Sequence, residues 1–205
     1  MDKRGDRQLK QYCTYDSPLG TIFLLSEGEC LTVLAFEGQK YFERYLPALE
    51  YQPAKYSSEK VMAGSGSDAT GGSKGRGGVL YRACRWLDSY FSGNVPGETV
   101  PVSLHGTEFQ LKVWRELEKI PYGTVVTYGE LAQRIFGPDA GGLKARAVGN
   151  AVGKNPISII IPCHRVIGSD SSLTGYAGGV DKKIDRKSTR LNSSHSRASR
   201  MPSSA

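Results

Sequence analysis

No stretch of the chain approaches the roughly 18–20 uncharged apolar residues that a membrane span needs. Residues 1–7 lack the apolar core of a secretion signal. The expectation is a cytoplasmic protein, nuclear in a eukaryote, with no membrane partner. Cysteine is scarce: Cys13, Cys30, Cys84 and Cys163 form no C-x-x-C pair and no dense framework. That excludes a zinc ribbon and a disulfide scaffold and leaves free thiols as the expected state. The N-terminal half offers only His105 beside its cysteines, so no metal site is expected. Acidic residues are missing from residues 186–205, which carry five basic ones. Most of the net charge of +7 therefore lies in a Ser/Arg-rich tail without apolar periodicity, and global charge says little about partners.

What is present suits one ordinary domain or two small ones: 205 residues, 39% hydrophobic and 23% charged. Thr21 to Ser26 and Cys30 to Phe36 are β-rich runs around Glu27-Gly28-Glu29, the pattern of a hairpin. Tyr41 to Leu46 opens a helix that Pro47 ends. Residues 63–78 are Gly/Ser-rich and bury too little apolar surface to offset ordering, so they read as a flexible insertion. A phosphate-cradling loop is not supported there, because no G-K-[ST] signature follows an apolar strand. Val79 to Phe91 places Leu80, Ala83, Cys84, Leu87 and Tyr90 at helical spacing, with Ser92-Gly93-Asn94 as a stop. Pro96 to Gly106 reads as a linker. Thr107 then caps a helix whose apolar face is Phe109, Val113, Trp114 and Leu117.

Beyond Pro121-Tyr122-Gly123-Thr124, Val125-Val126 is extended and Thr127 caps a helix from Tyr128 to Phe136. A break from Gly137 to Gly142 and a second helix from Leu143 to Val152 make a helix-turn-helix candidate, with a break longer than the usual 3–4 residues. Ala145, Ala147 and Gly149 leave the second helix thinly covered. That suits tight helix packing or close approach to a groove, with Arg146 as a long cationic probe. Asn155-Pro156 ends the helix. Ile157 to Ile161 is a buried apolar run that delivers Pro162-Cys163-His164-Arg165-Val166. A cysteine beside an imidazole can be a nucleophile or an inert core residue; on a strand the two side chains point to opposite faces, whereas a turn at Pro162 removes that objection.

Four motifs in this order resemble the O6-alkylguanine-DNA alkyltransferases: Pro121 to Ala132, Ala145 to Gly149 with Asn155-Pro156, Ile160-Ile161-Pro162-Cys163-His164-Arg165-Val166-Ile167, and Gly175-Tyr176-Ala177-Gly178-Gly179. The resemblance covers about residues 107–184, and Ser17-Pro18-Leu19-Gly20 with the hairpin is similar to the family's variable N-terminal domain. It implies an α/β (α+β) fold: an N-terminal α/β domain over 1–100 and a mainly helical DNA-binding and active-site domain over 107–184. It also implies a monomer that repairs O6-alkylguanine, and O4-alkylthymine with it, in double-stranded DNA by single-turnover alkyl transfer, without cofactor or metal. The target base is hidden in the duplex and must be extruded. By the same resemblance Cys163 accepts the alkyl group and His164 removes its proton through a water. Arg146 fills the vacated stack, Tyr128 rotates the nucleotide and donates toward the guanine, and Asn155 braces the turn before the active-site strand. Tyr176 and the Ala177 amide line the base pocket, and the carbonyls of Cys163 and Val166 accept from the exocyclic amine.

The family's C-terminal helix supplies a glutamate that orients the histidine, and Arg190 stands in its place here. Residues 185–205 read as a foreign scar, so weakened stability and transfer are expected. The alternatives are an alkyltransferase-like damage-binding protein, which lacks the acceptor cysteine, a helix-turn-helix regulator, and a cysteine hydrolase.

Overall fold

The computed structural model describes residues 10–43, 52–53 and 78–170. The expected insertion at 63–78 (apart from Gly78), Tyr176, Ala177 and the tail from 185 lie outside the described residues. The chain divides into two compact units. Among the described residues the first comprises 10–37, 52–53 and 78–103, and the second 38–43 and 104–170.

In the first unit β1 (Lys10–Ser17), β2 (Gly20–Glu27) and β3 (Cys30–Phe36) form an antiparallel meander, and β4 (Gln52–Pro53) pairs parallel with β1, giving the order β3-β2-β1-β4. The hairpin expected across Gly28 is β2-β3, with Gly28 at φ 58. Its extension to a third strand follows from Tyr12 to Tyr15, where Cys13 and Tyr15 point inward and Thr14 outward, the alternation of a half-buried strand. Ser17 bends the chain between β1 and β2: its hydroxyl donates to the Gly20 carbonyl at 2.6 Å and accepts from Leu19 N–H at 3.2 Å.

Although β3 ends the strand order, it is buried from Leu31 to Phe36. Part of its outer edge is covered by the segment read from sequence as linker. Leu31 N–H donates to Pro101 O at 2.8 Å, and Ser103 N–H donates to Leu31 O at 2.9 Å. Residues 101–103 thus belong to this unit, because they occupy backbone groups that a bare edge would expose. Helix α1 (Val79–Phe91) has the bounds its periodicity predicts. It contributes Leu80, Ala83, Cys84 and Leu87 to a core that also holds Ile22, Leu24, Leu34 and Phe36 of the sheet.

The second unit is helical. In α2 (Glu108–Glu118), Thr107 Oγ1 accepts from Gln110 N–H, and Gln110 Oε1 accepts from Thr107 N–H. Thr127 and Glu130 repeat this reciprocal cap at the start of α3 (Tyr128–Phe136). The helix expected over 41–46 is described only at its start: Tyr41 lies in a turn at φ 71, Phe42 and Glu43 take a 3-10 conformation, and residues 44–46 fall outside the described residues.

Helix α4 (Ala140–Val152) begins three residues earlier than Gly141-Gly142 suggest, so the break between α3 and α4 is Gly137 to Asp139. Packing overrides the poor helix propensity of the glycines. Gln133 Nε2 donates across the break to Pro138 O at 3.0 Å, and a Cβ on Gly141 would meet that amide nitrogen at 2.9 Å. Gly129 lies opposite, with its Cβ position 3.7 Å from Gly141 O. The three-residue break is of ordinary helix-turn-helix length.

Leu87 is fully buried in the first unit's core. Leu87→Ala is expected to cost about 2–5 kcal/mol in urea denaturation, the range for an unfilled leucine cavity.

Candidate functional site

The polypeptide leaving α4 is folded by one amide. Asn155, 2% exposed, donates through Nδ2 to Ile157 O at 3.2 Å and to Ile161 O at 2.9 Å, and accepts from Ile157 N–H through Oδ1 at 3.0 Å. Residues 157–161 are consequently a tight turn and not the strand that the resemblance implies. Ile161 N–H returns to Ile157 O at 3.1 Å, and Ile159 sits at φ 72, a region that β-branched residues rarely enter. Burial of Ile157, Ile159 and Ile161 holds that conformation in place.

The turn leads into a single 3-10 turn, Cys163–Arg165, after Pro162. Cys163 N–H donates to Ile161 O at 2.8 Å, and Arg165 N–H donates to Pro162 O at 2.9 Å. Cys163 and His164 are therefore neighbours on a turn, both buried, at 3% and 8% exposure. The Cys163 carbonyl accepts the Val166 N–H. Arg165 anchors the far side: Nη1 donates to Ile120 O at 2.7 Å, and the guanidinium lies 5.3 Å from the Tyr122 ring centre.

Two short strands bring this turn to the helix-turn-helix. β5 (Val126–Thr127) and β6 (Val166–Ile167) pair in parallel, with Val126 opposite Val166. Tyr128, the residue after β5, is thereby set beside Cys163. Burial, and next the neighbouring Cys163, push its hydroxyl up to about 12, so Tyr128 remains a proton donor throughout the neutral range. Trp114 ties α2 to the same assembly by donating from Nε1 to Ala151 O at 2.8 Å.

Tyr128, Ala145, Arg146 and Gly149 line one open groove of about 910 Å³. Its other walls, which sequence reasoning missed, include Gln133, Asn150 and the segment Gly168-Ser169-Asp170. The last of these follows β6 and reaches the groove only through the β5-β6 pairing, so no local signal marks it. Among the described residues no ion pair engages Arg146, which is exposed. Ala147 is exposed but does not line the groove, whereas Asn155 and Val166 are buried around the cysteine turn. Cys163 does not line the groove either; Tyr128 lines it and lies close enough to Cys163 for the thiol to help raise its hydroxyl.

Gly149 has no internal reason to be glycine. A Cβ there would lie 3.6 Å from Tyr128 Cδ1, an ordinary contact. The helix forgoes roughly 0.5–1 kcal/mol by carrying glycine in its interior, which gains nothing inside the protein and keeps the groove floor bare. No three His, Cys, Asp or Glu side chains converge as a metal site among the described residues.

Comparison with known proteins gives two consecutive family matches. Residues 10–104 match the ribonuclease-like domain of 6-O-methylguanine DNA methyltransferase, and residues 108–192 match its DNA binding domain. The chain is 39% identical over 173 residues to the methylated-DNA–protein-cysteine methyltransferase of Haemophilus influenzae, covering 84% of this chain and 81% of that protein. It is 39% identical over 168 residues to the protein of the same name from Shigella flexneri, covering 82% and 87%. The crystal structure of Mycobacterium tuberculosis O6-methylguanine methyltransferase superposes with a TM-score of 0.68 at 34% identity, covering 96% of this chain and 97% of that one. The Mycobacterium tuberculosis OGT structure in complex with DNA gives 0.67 at 34% identity, covering 89% and 93%.

Asn155→Ala is expected to cost about 2–4 kcal/mol, because it removes three buried hydrogen bonds and strands the Ile157 N–H. Gly149→Ala is expected to leave stability unchanged or raise it by up to about 1 kcal/mol. Urea denaturation of both variants checks the contrast.

Proposed function

The chain belongs to the 6-O-methylguanine-DNA methyltransferase family, and on that premise we propose that Cys163 takes the alkyl group from O6-alkylguanine in DNA, with the groove beside Tyr128 as the surface that receives the duplex. The observation that carries this reading is the position of Tyr128: it lines the groove with Arg146 and Gly149 while its buried hydroxyl senses Cys163.

A guanine alkylated at O6 is inaccessible inside stacked DNA, so the nucleotide must leave the helix before a sulfur can reach it. Helix α4 suits the minor groove through its bare Gly149 and Ala145, and the exposed Arg146 fills the space that the extruded base leaves. Contacts of this kind read shape and backbone and leave the surrounding sequence free to vary.

In the transfer step the Cys163 proton passes through a water to His164, and the thiolate attacks the alkyl carbon from the side opposite O6. The S–C bond forms as the C–O6 bond breaks, and the electron pair goes to the purine. A proton delivered to the departing base leaves neutral guanine. Tyr128, held protonated, is the donor that lowers the cost of the charge developing there. The carbonyls of Cys163 and Val166 accept from the exocyclic amine. Tyr176 and Ala177 complete the base pocket in this reading. The product is a thioether, so each chain acts once. In the same reading Arg190, where an acid would steady His164, slows proton removal.

After incubation with duplex DNA containing O6-methylguanine, intact-protein mass spectrometry is expected to show one methyl increment that maps to Cys163 and is absent from Cys163→Ala. Binding without the increment would favour a damage-binding protein, and repeated turnover a hydrolase. Arg146→Ala is expected to slow transfer from duplex DNA by roughly ten- to a hundredfold, the size of losing 1–3 kcal/mol of groove contact, while transfer from the free modified base is unchanged. Gly149→Ala is expected to weaken duplex binding without loss of stability.

A further inference from the structure

In the first unit, well separated in sequence from the alkyl-transfer residues, two buried thiols face each other. Cys13 Sγ of β1 and Cys84 Sγ of α1 are 3.9 Å apart although 71 positions separate them in the chain, and the residues are 3% and 0% exposed. The register that brings them together is held by the next rung. Tyr15, two residues along β1 and so on the same face, donates its hydroxyl to Asp88 Oδ1 at 2.8 Å, one helical turn beyond Cys84. The same rung leaves Tyr15 with its hydroxyl raised above the ordinary tyrosine value, by burial first and by Asp88 next.

We propose that Cys13 and Cys84 are an oxidisable pair whose disulfide staples β1 to α1. A disulfide bond is about 2.05 Å long, so the sulfurs must close by somewhat less than 2 Å, a shift within reach of small rotations about the two Cα–Cβ bonds. The co-reactant is a peroxide, small and neutral enough to enter a site closed to bulkier disulfides. One sulfur, as its thiolate, attacks a peroxide oxygen. The O–O bond breaks, hydroxide leaves, and the sulfur becomes a sulfenic acid. The second thiol attacks that sulfur, the S–S bond forms, and the oxygen departs as water after taking up the thiol's proton. Two electrons pass from the two sulfurs to one peroxide, giving two waters in all. Cys30, half-buried and on β3, has no cysteine partner of this kind among the described residues. The bond would close a long loop of chain, which restricts the unfolded state more than the folded one.

The test uses the full chain. Hydrogen peroxide treatment is followed by iodoacetamide in denaturant and peptide mapping without reduction. The expected result is one linked Cys13–Cys84 peptide, lighter by two hydrogens than its two parts. It should come with a Tm higher by about 5–10 °C, reversed by dithiothreitol and absent from both Cys13→Ser and Cys84→Ala. If either variant fails to fold, the linked peptide and Tm of the unaltered chain still decide. Iodoacetamide label on both Cys13 and Cys84 after peroxide has consumed Cys30 would overturn the proposal. So would linkage of either residue to Cys30 or Cys163, or a linked peptide without a rise in Tm.

Discussion

The second unit depends on a side-chain amide. Asn155 satisfies backbone groups of the turn at 157–161, and it does so with both its donor and its acceptor. Ile159 can hold a left-handed backbone because the amide closes the turn around it and burial of the neighbouring isoleucines resists opening. Everything downstream takes its position from this closure. The 3-10 turn carries Cys163 and His164, β6 pairs with β5, and that pairing sets Tyr128 beside the sulfur. An aspartate of nearly the same shape could accept but not donate, and would bring a charge into a buried site.

The groove carries a different economy. Its floor is helix α4, built from residues that contribute little to the hydrophobic core, and its glycine at 149 is not demanded by Tyr128. The helix is held from outside the groove instead: by the Trp114 bond to Ala151, by burial of Val148 and Val152, and by Gln133 bridging the turn before it. A groove left bare of long side chains thus rests on packing concentrated at its back. In the proposed function that division has a purpose, since a protein that inspects every base pair needs close backbone approach more than side-chain recognition.

Where the sequence was legible, the signal was local and repeated. The spacing of Leu80, Ala83, Cys84 and Leu87 placed α1 with its observed ends, and Thr107 and Thr127 marked two helix starts that the reciprocal caps confirm. The motif around Cys163 was legible as chemistry before any geometry. Other features misled for physical reasons. Gly141 and Gly142 read as a break, yet helix contacts made them helical. Ile157 to Ile161 read only as a buried apolar run, and its turn went unseen because β-branched composition cannot report a side-chain amide two residues away. Pro96 to Gly106 read as a linker, although residues 101–103 cover the edge of β3. The groove walls at Gly168 to Asp170 and the meeting of Cys13 with Cys84 depend on contacts between distant segments.

The amino-acid order by itself determined the ends of α1, the capped starts of α2 and α3 and the inward faces, because periodicity and caps act over a few residues. Only the tertiary structure decided that the isoleucine run turns, that the helical break is short, and that Tyr128 stands between a buried sulfur and an open groove. Those outcomes rest on hydrogen bonds and packing between segments far apart in the chain, whose energies no local pattern encodes.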